Sequence, residues 1–273
     1  MSESMRREFE IVSEEGLPIR GVLEIPHDPK RLAIVVHGFK GFKEWGFFPW
    51  LCERLSESGI VACRFDMSRN GIGEDPETFE RLDLFADDTY SIQLSDLEKV
   101  AEHLGSTEDL SKLPVFLIGH SRGGAIALLA SRRLRSLAGI VTWNAIASTD
   151  RWDDETKRQW RGRGHLDIEN SRTGQIMRMS TAVLDDLEQN RESLDVIAAV
   201  ESMSPPLLVV QGGSDETVSS ADADAIAAAH HCASKMVISR ASHTFNAIHP
   251  LVNVPPELDL AAHVTARFIT SYH

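Results

Sequence analysis

Cysteine is scarce: only Cys52, Cys63 and Cys232 occur in 273 residues. Three is an odd number and no two of them form a CxxC pair, which excludes a disulfide framework and a cysteine-based zinc site. They are expected to be reduced and structural. Cys232 follows His230 and His231, but a metal site needs three or four convergent ligands and this cluster has no second half in the sequence, so no metal is expected. Positive charge is also in deficit, with 28 Lys+Arg against 41 Asp+Glu and a net charge of −13. Such a surface repels a phosphate backbone, which excludes nucleic acid as a partner. No apolar run approaches the roughly 18 residues of a membrane span, and MSESMRREFE at the start lacks the apolar stretch of a signal peptide. The expectation is a cytoplasmic protein with no membrane partner. Gly71 and Gly73 form a Gly-x-Gly pair, but Pro76 occupies the place of a third glycine, so the dinucleotide motif fails. No P-loop pattern occurs either, and no cofactor is expected.

What is present has an ordinary globular balance, 42% hydrophobic and 25% charged. Short β-branched runs alternate with longer amphipathic ones, the pattern of strands and helices wound into a mostly parallel sheet. Phe9 to Val12 and Ile19 to Ile25 can pair as antiparallel edge strands around the turn at Gly16 to Pro18. Arg31 to Val36, Ile60 to Phe65, Pro114 to Ile118, Leu137 to Thr142, Leu207 to Val210 and Lys235 to Ile238 read as further strands. Helices are expected from Pro49 to Ser58, along the Tyr90, Leu94, Leu97, Ala101, Leu104 stripe, after Gly124, over Ala221 to Ala229, and from Pro256 to Ile269. A crossover helix takes about 10 to 20 residues, and the interval 144–206 is far longer, so it contains an insertion. The expected division is a core of 1–147 and 204–273 with a cap at 148–203. The cap begins with a charged stretch around Trp152 and Trp160. A small hairpin over HLDIENSRTGQIMRMS and helical segments at Ser180 to Asn190 and Ser193 to Met203 complete it.

The chemistry concentrates at strand ends. Gly119-His120-Ser121-Arg122-Gly123 matches G-x-S-x-G between a buried strand and a Gly/Ala-rich helix, the context a nucleophile elbow requires. Side chains at 119 or 123 would clash with neighbouring strand and helix, which gives the glycines a steric reason. A Ser nucleophile needs a nearby base and a carboxylate to orient that base. Asp215 follows the LLVV strand, with Glu216 as the alternative carboxylate. His243 lies beyond Ile238, with His249 as its rival. His37-Gly38-Phe39 follows the first buried strand, so the amides of Phe39 and Arg122 can serve as oxyanion donors. Taken singly, each feature also reads as a Gly-rich turn, a capping Asp, an inert loop His or a tight turn. The order Ser121, Asp215, His243 favours the catalytic reading.

These segments resemble the α/β-hydrolase family, in particular its capped, serine esterase-like members of the serine aminopeptidase and dienelactone hydrolase kind. The resemblance covers nearly the whole chain. VVHGFKG, RFDMSRNGIGED, LIGHSRGG, LLVVQGGSDETV and SRASHTF look like that family's oxyanion loop, Asp-loop, elbow, acid turn and His loop. It implies an α/β-hydrolase fold, a mostly parallel sheet with helices on both faces and an inserted cap. Ser121 would be the nucleophile, Asp215 the acid, His243 the base, and Phe39 and Arg122 the oxyanion donors. Arg69 and Glu74 depart from the family, where a Gly and a Ser usually stand nearby. The implied activity is hydrolysis of a small carboxylic ester through an acyl-enzyme. An aminopeptidase or thioesterase would use the same triad, and a noncatalytic ligand-binding protein could keep the fold. Phe39, His120, Trp143, Trp152 and Trp160 are the expected substrate pocket, although the cap tryptophans could equally pin the cap to the core.

Overall fold

A computed structural model of the chain describes residues 4–272. The expectation about the N-terminal segment falls partly on residues 1–3, outside the described residues. In chain order the elements are β1 (Met5–Val12), β2 (Pro18–Ile25), β3 (Arg31–Val36), α1 (Phe48–Ser56), β4 (Ile60–Phe65), α2 (Leu82–Phe85), α3 (Tyr90–Ser106), β5 (Val115–His120), α4 (Arg122–Ala130) and β6 (Leu137–Trp143). There follow α5 (Asp154–Arg163), β7 (His165–Asn170), β8 (Gln175–Ser180), α6 (Ala182–Gln189), α7 (Val196–Ser202), β9 (Leu207–Gly212), α8 (Ser220–Ala229), β10 (Ser234–Ile238) and α9 (Pro256–Ser271).

Eight strands form one sheet in the order β1-β2-β4-β3-β5-β6-β9-β10. The pairs β1–β2 and β2–β4 are antiparallel, and every pair from β4 to β10 is parallel. Continuous apolar strands such as RLAIVV are explained by burial on both faces. Leu32, Ile34 and Val36 of β3 join one core with residues of α3, α4, α7 and α8, while Ala33 and Val35 join the opposite core with residues of α1 and α9. The period of two along each strand thus sends alternate side chains into the two helix layers.

From β3 the chain crosses to β4 on one side and returns, through α3, to β5 on the other. That reversal makes β3 and β5 neighbours whose following loops diverge, and such a crevice at the C-terminal strand ends is where open α/β sheets bind ligands. His37 to Phe39 leave β3 there, Ser121 leaves β5, Asp215 follows β9 and His243 follows β10.

The insertion between β6 and β9 builds its own small core. Trp160, Met177, Met179, Val183 and Leu184 pack with Phe42 and Phe79 from loops of the main body and Phe85 from α2. The expected hairpin is β7–β8, in register from His165 opposite Ser180 to Asn170 opposite Gln175. Lys40 Nζ donates to Glu169 O at 3.2 Å and Gln175 Nε2 to Phe79 O at 3.0 Å, which ties the hairpin to the loops after β3 and β4. Within the stretch expected to form the cap, Val196, Ala199 and Val200 of α7 and Leu187 of α6 lie in the main core with residues of α4 and α8.

Candidate active site

The β5–α4 turn sets Ser121 at φ 56°, ψ −120°, a left-handed conformation that non-glycine residues adopt only under constraint. The constraint is visible around it. A Cβ on Gly119 would lie 2.2 Å from Gly123 O, and one on Gly123 would lie 2.3 Å from Val36 O, so only glycine lets β5, α4 and β3 approach this closely. The Ser121 amide donates to Trp143 O at 2.9 Å and its carbonyl accepts from Gly124 N at 3.0 Å. Ser121 is half-buried, and its Oγ donates to no atom among the described residues.

Gly38 passes against this turn. A Cβ there would meet Ser121 Cβ at 3.0 Å and His120 O at 3.0 Å, so the loop after β3 runs beside the expected nucleophile. The Phe39 and Arg122 amides engage no backbone carbonyl among the described residues. Arg122 also begins α4, where the first amides have no carbonyl one turn earlier and the helix dipole favours negative charge. Beneath the loop, the buried Lys43 ammonium pairs with Asp66 at 2.8 Å, and Asp66 also accepts from the Lys43 amide at 2.8 Å and from Asn70 Nδ2 at 3.0 Å. A buried pair with its remaining lone pairs satisfied fixes geometry. The sequence reading named only the loop that contains Asp66 and passed over Lys43.

His243 Nδ1 lies 2.8 Å from Asp215 Oδ2, and Asp215 Oδ1 accepts the amides of Thr217 at 2.8 Å and Val218 at 2.9 Å. Burial alone would raise the Asp215 pKa, but the His243 hydrogen bond and the two amides outweigh it and hold the carboxyl below its ordinary value. An ionised Asp215 accepts the Nδ1 proton, which leaves Nε2 as the basic nitrogen. The competing residues are placed elsewhere. Glu216 is exposed, and His249 accepts the Gly46 amide on Nδ1 at 2.8 Å and stacks on Trp45.

Two residues hold the His243 loop. His120 Nε2 donates to His243 O at 2.8 Å, and Asn144 Nδ2 donates to the same oxygen at 2.8 Å. Burial, helped by the nearby His243, pushes the His120 pKa down to about 3, so the ring stays neutral. Asn144 Oδ1 accepts the Gly212 amide at 2.6 Å, so one side chain joins the end of β9, which carries Asp215, to the His243 loop. Sequence reasoning missed Asn144. Its one signal is position, directly after β6 at the edge where every other site residue lies.

The expected pocket is brought together only in part. Phe39 is half-buried beside Phe85, and His120 is buried with its ring centroid 4.7 Å from that of His243. Trp143 and Trp160 are corrected: both are fully buried and offer a ligand no surface. Trp143 Nε1 donates to Thr265 Oγ1 of α9 at 2.9 Å, so the ring belongs to the core beneath the sheet. Trp160 Nε1 donates to Met179 O at 3.1 Å inside the insertion, with Trp152 edge-on at 5.2 Å. Pinning, rather than lining, is therefore what the structure gives Trp160. His230, His231 and Cys232 do bring their ligand atoms within 4.8 Å of one another, but they precede β10, at the sheet edge opposite Ser121. No helix among the described residues is long and apolar enough to cross a membrane.

Residues 33–254 match the model of a family described as the alpha/beta hydrolase family. No curated protein sequence matches the chain. Among solved structures it is similar to Est1E from Butyrivibrio proteoclasticus with ferulic acid bound, at 19% identity over 96% of this chain and 98% of that one, with a TM-score of 0.72. It is also similar to a dienelactone hydrolase from Anabaena variabilis, at 18% identity over 99% of both chains and a TM-score of 0.67. The esterase domain of a Rhodothermus marinus protein aligns at 18% identity over 98% and 99% of the two chains, with a TM-score of 0.68. At these identities the likeness is one of fold.

Proposed function

The chain belongs to the alpha/beta hydrolase family, and on that premise we propose that it hydrolyses small, uncharged carboxylic esters through an acyl-enzyme on Ser121. The observation that carries this reading is the strained Ser121 turn with Gly38 packed against its Cβ and the His243–Asp215 pair delivered to the same sheet edge. Ser121 Oγ attacks the ester carbonyl as His243 Nε2 takes its proton. The tetrahedral oxygen is bound by the amides of Phe39 and Arg122, and Asp215 stabilises the imidazolium through Nδ1–H. Collapse expels the alcohol, which leaves with the proton from His243. Water, deprotonated by the same nitrogen, then attacks the acyl group and regenerates Ser121.

The preference for an uncharged substrate rests on the net charge of −13, which opposes a polyanion such as an acyl-CoA, although salt screens that field beyond about 8 Å. The insertion seated on the loops after β3 and β4 limits acyl length by roofing the crevice.

Fluorophosphonate labelling tests the nucleophile, and kcat/KM across p-nitrophenyl esters of about two to sixteen carbons, with an aminoacyl amide and an acyl-CoA alongside, tests the substrate. The expected result is labelling at Ser121 and a maximum at short acyl chains. No labelling would leave a ligand-binding protein; faster turnover of the amide or the CoA ester would make it a peptidase or thioesterase.

A further inference from the structure

The reaction as proposed uses the backbone of Arg122 and leaves its side chain without a task. That side chain is 4% exposed, and its Nη1 has no hydrogen-bond partner among the described residues. An unsatisfied guanidinium nitrogen inside a protein is costly, so something else holds the group there. The buried Asp88 carboxylate attracts it, and two aromatic rings flank it: Cζ lies 4.3 Å from the centroid of Phe39 and 4.5 Å from that of Tyr90. A cation between two ring faces is attracted by both quadrupoles, most strongly where water is excluded. Tyr90 is fully buried in the first turn of α3, so this end of the stack is fixed to the core. Phe39 is the movable end. It is half-buried in a loop where Lys40 follows at φ 57°, and the bonds of that loop, Gly41 N to Gly38 O at 3.0 Å and Lys40 Nζ to Glu169 O at 3.2 Å, do not hold the Phe39 ring itself.

Phe39 and Arg122 are also the residues whose amides are expected to bind the oxyanion. Their side chains therefore join the two donors to each other and to α3. We propose that the Arg122 side chain is a positioning residue, a clamp that sets the spacing of the Phe39 and Arg122 amides; the inference rests on the acyl-enzyme reading above. An oxyanion hole works only when its donors sit at hydrogen-bonding distance from where charge develops, and small misplacements cost rate rather than ground-state binding.

The test compares Arg122→Met, which fills the gap between the rings without charge, with Phe39→Leu, which removes one ring, Phe39→Trp, which restores one, and the Arg122→Met/Phe39→Leu double variant. The readouts are the rate of fluorophosphonate labelling, kcat and KM on p-nitrophenyl acetate, and Tm. Labelling and kcat are expected to fall about 10- to 100-fold in Arg122→Met and in Phe39→Leu, with KM nearly unchanged. The double variant is expected to be no slower than the slower single, because one clamp is broken twice. Phe39→Trp is expected to label about tenfold faster than Phe39→Leu, since indole is the best cation–π face. Lowered Tm with labelling and kcat unchanged would make Arg122 a packing residue and overturn the clamp, as would multiplicative losses in the double variant. Should Arg122→Met fail to fold, the Leu and Trp variants at position 39 decide the matter alone. An unsubstituted protein that takes no label would overturn the Ser121 reading itself, a failure distinct from that of the clamp.

Discussion

Asn144 stands at φ 49°, fully buried, with its carbonyl oxygen on the Gly212 amide and its amide nitrogen on His243 O. A left-handed asparagine costs little strain, because its short side chain bonds locally, and here those bonds connect the loops of the expected acid and base. Asn144→Ala leaves a buried amide and removes one of two donors from His243 O, so it is expected to cost about 1–3 kcal/mol in urea unfolding. It is also expected to lower kcat by about tenfold through a misplaced imidazole. The reacting groups themselves should show a different split. Ser121→Ala, His243→Ala and Asp215→Asn are each expected to lower kcat by about 10³ to 10⁶ with folding nearly intact. More than a tenth of the activity surviving in well-folded Ser121→Ala would refute the nucleophile, and a dead His249→Ala beside an active His243→Ala would move the base.

Strands were the most legible elements in the sequence, because a strand buried on both faces is a run of β-branched and aliphatic residues that no surface helix imitates: RLAIVV, IVACRF and LLVV became β3, β4 and β9. Ser121 and Asp215 are legible for the same reason, since each follows such a strand, whereas His243 follows β10, an edge strand exposed over most of its length, and is legible only by its order in the chain. Helix α5 went unrecognised although its caps are written in the chain. Asp153 accepts the Thr156 amide at 2.7 Å, Asp154 and Glu155 follow, Arg161 and Arg163 close it, and Gly164 ends it at φ 77°. The charged composition hid an amphipathic helix that buries one residue, Trp160. Which layer a tryptophan enters was not legible either: Trp143 ends a core strand at the edge of the site, yet its pleat position turns it under the sheet toward α9. Within the insertion, Trp160 donates to Met179 O, meets Trp152 edge-on and packs in the cluster that includes Phe42, Phe79 and Phe85. Trp160→Ala is expected to cost roughly 3–5 kcal/mol locally. Limited proteolysis is then expected to cut between 150 and 190 while the remaining core keeps its label at Ser121. A single global transition with no new cleavage would mean that the insertion and the core unfold as one unit.

Over the whole molecule, the excess of acid is uneven in its consequences, because most carboxylates are solvated while two near the start of α3 are buried. Burial raises Asp88 to about 6 and, opposed by a hydrogen bond from the Ser68 amide, raises Asp96 to about 7. Unfolded, each would titrate near 3.9, so the folded state binds these protons more tightly. Their contribution to stability is therefore complete below about pH 4 and is lost as pH rises through about 6 to 7. Asp215 works in the opposite sense: its pKa is depressed, and its contribution is lost only as pH falls below the ordinary carboxylate range. Between about pH 5 and about pH 8, then, Asp88 and Asp96 contribute a loss of stability with rising pH, which the buried histidines held neutral in the fold, His120 and His37 among them, oppose. Asp96→Asn removes the larger of the two titrations. It also weakens the bond to the Ser68 amide at every pH, so the informative quantity is the pH difference and not the absolute stability. Urea unfolding at about pH 5 and about pH 8 is expected to show the unsubstituted protein losing on the order of 1–3 kcal/mol more than Asp96→Asn across that interval, at about 1.4 kcal/mol per pKa unit with allowance for partial solvation. Equal losses in the two proteins would mean that Asp96 ionises as freely folded as unfolded, and that its burial beside α3 carries no electrostatic cost.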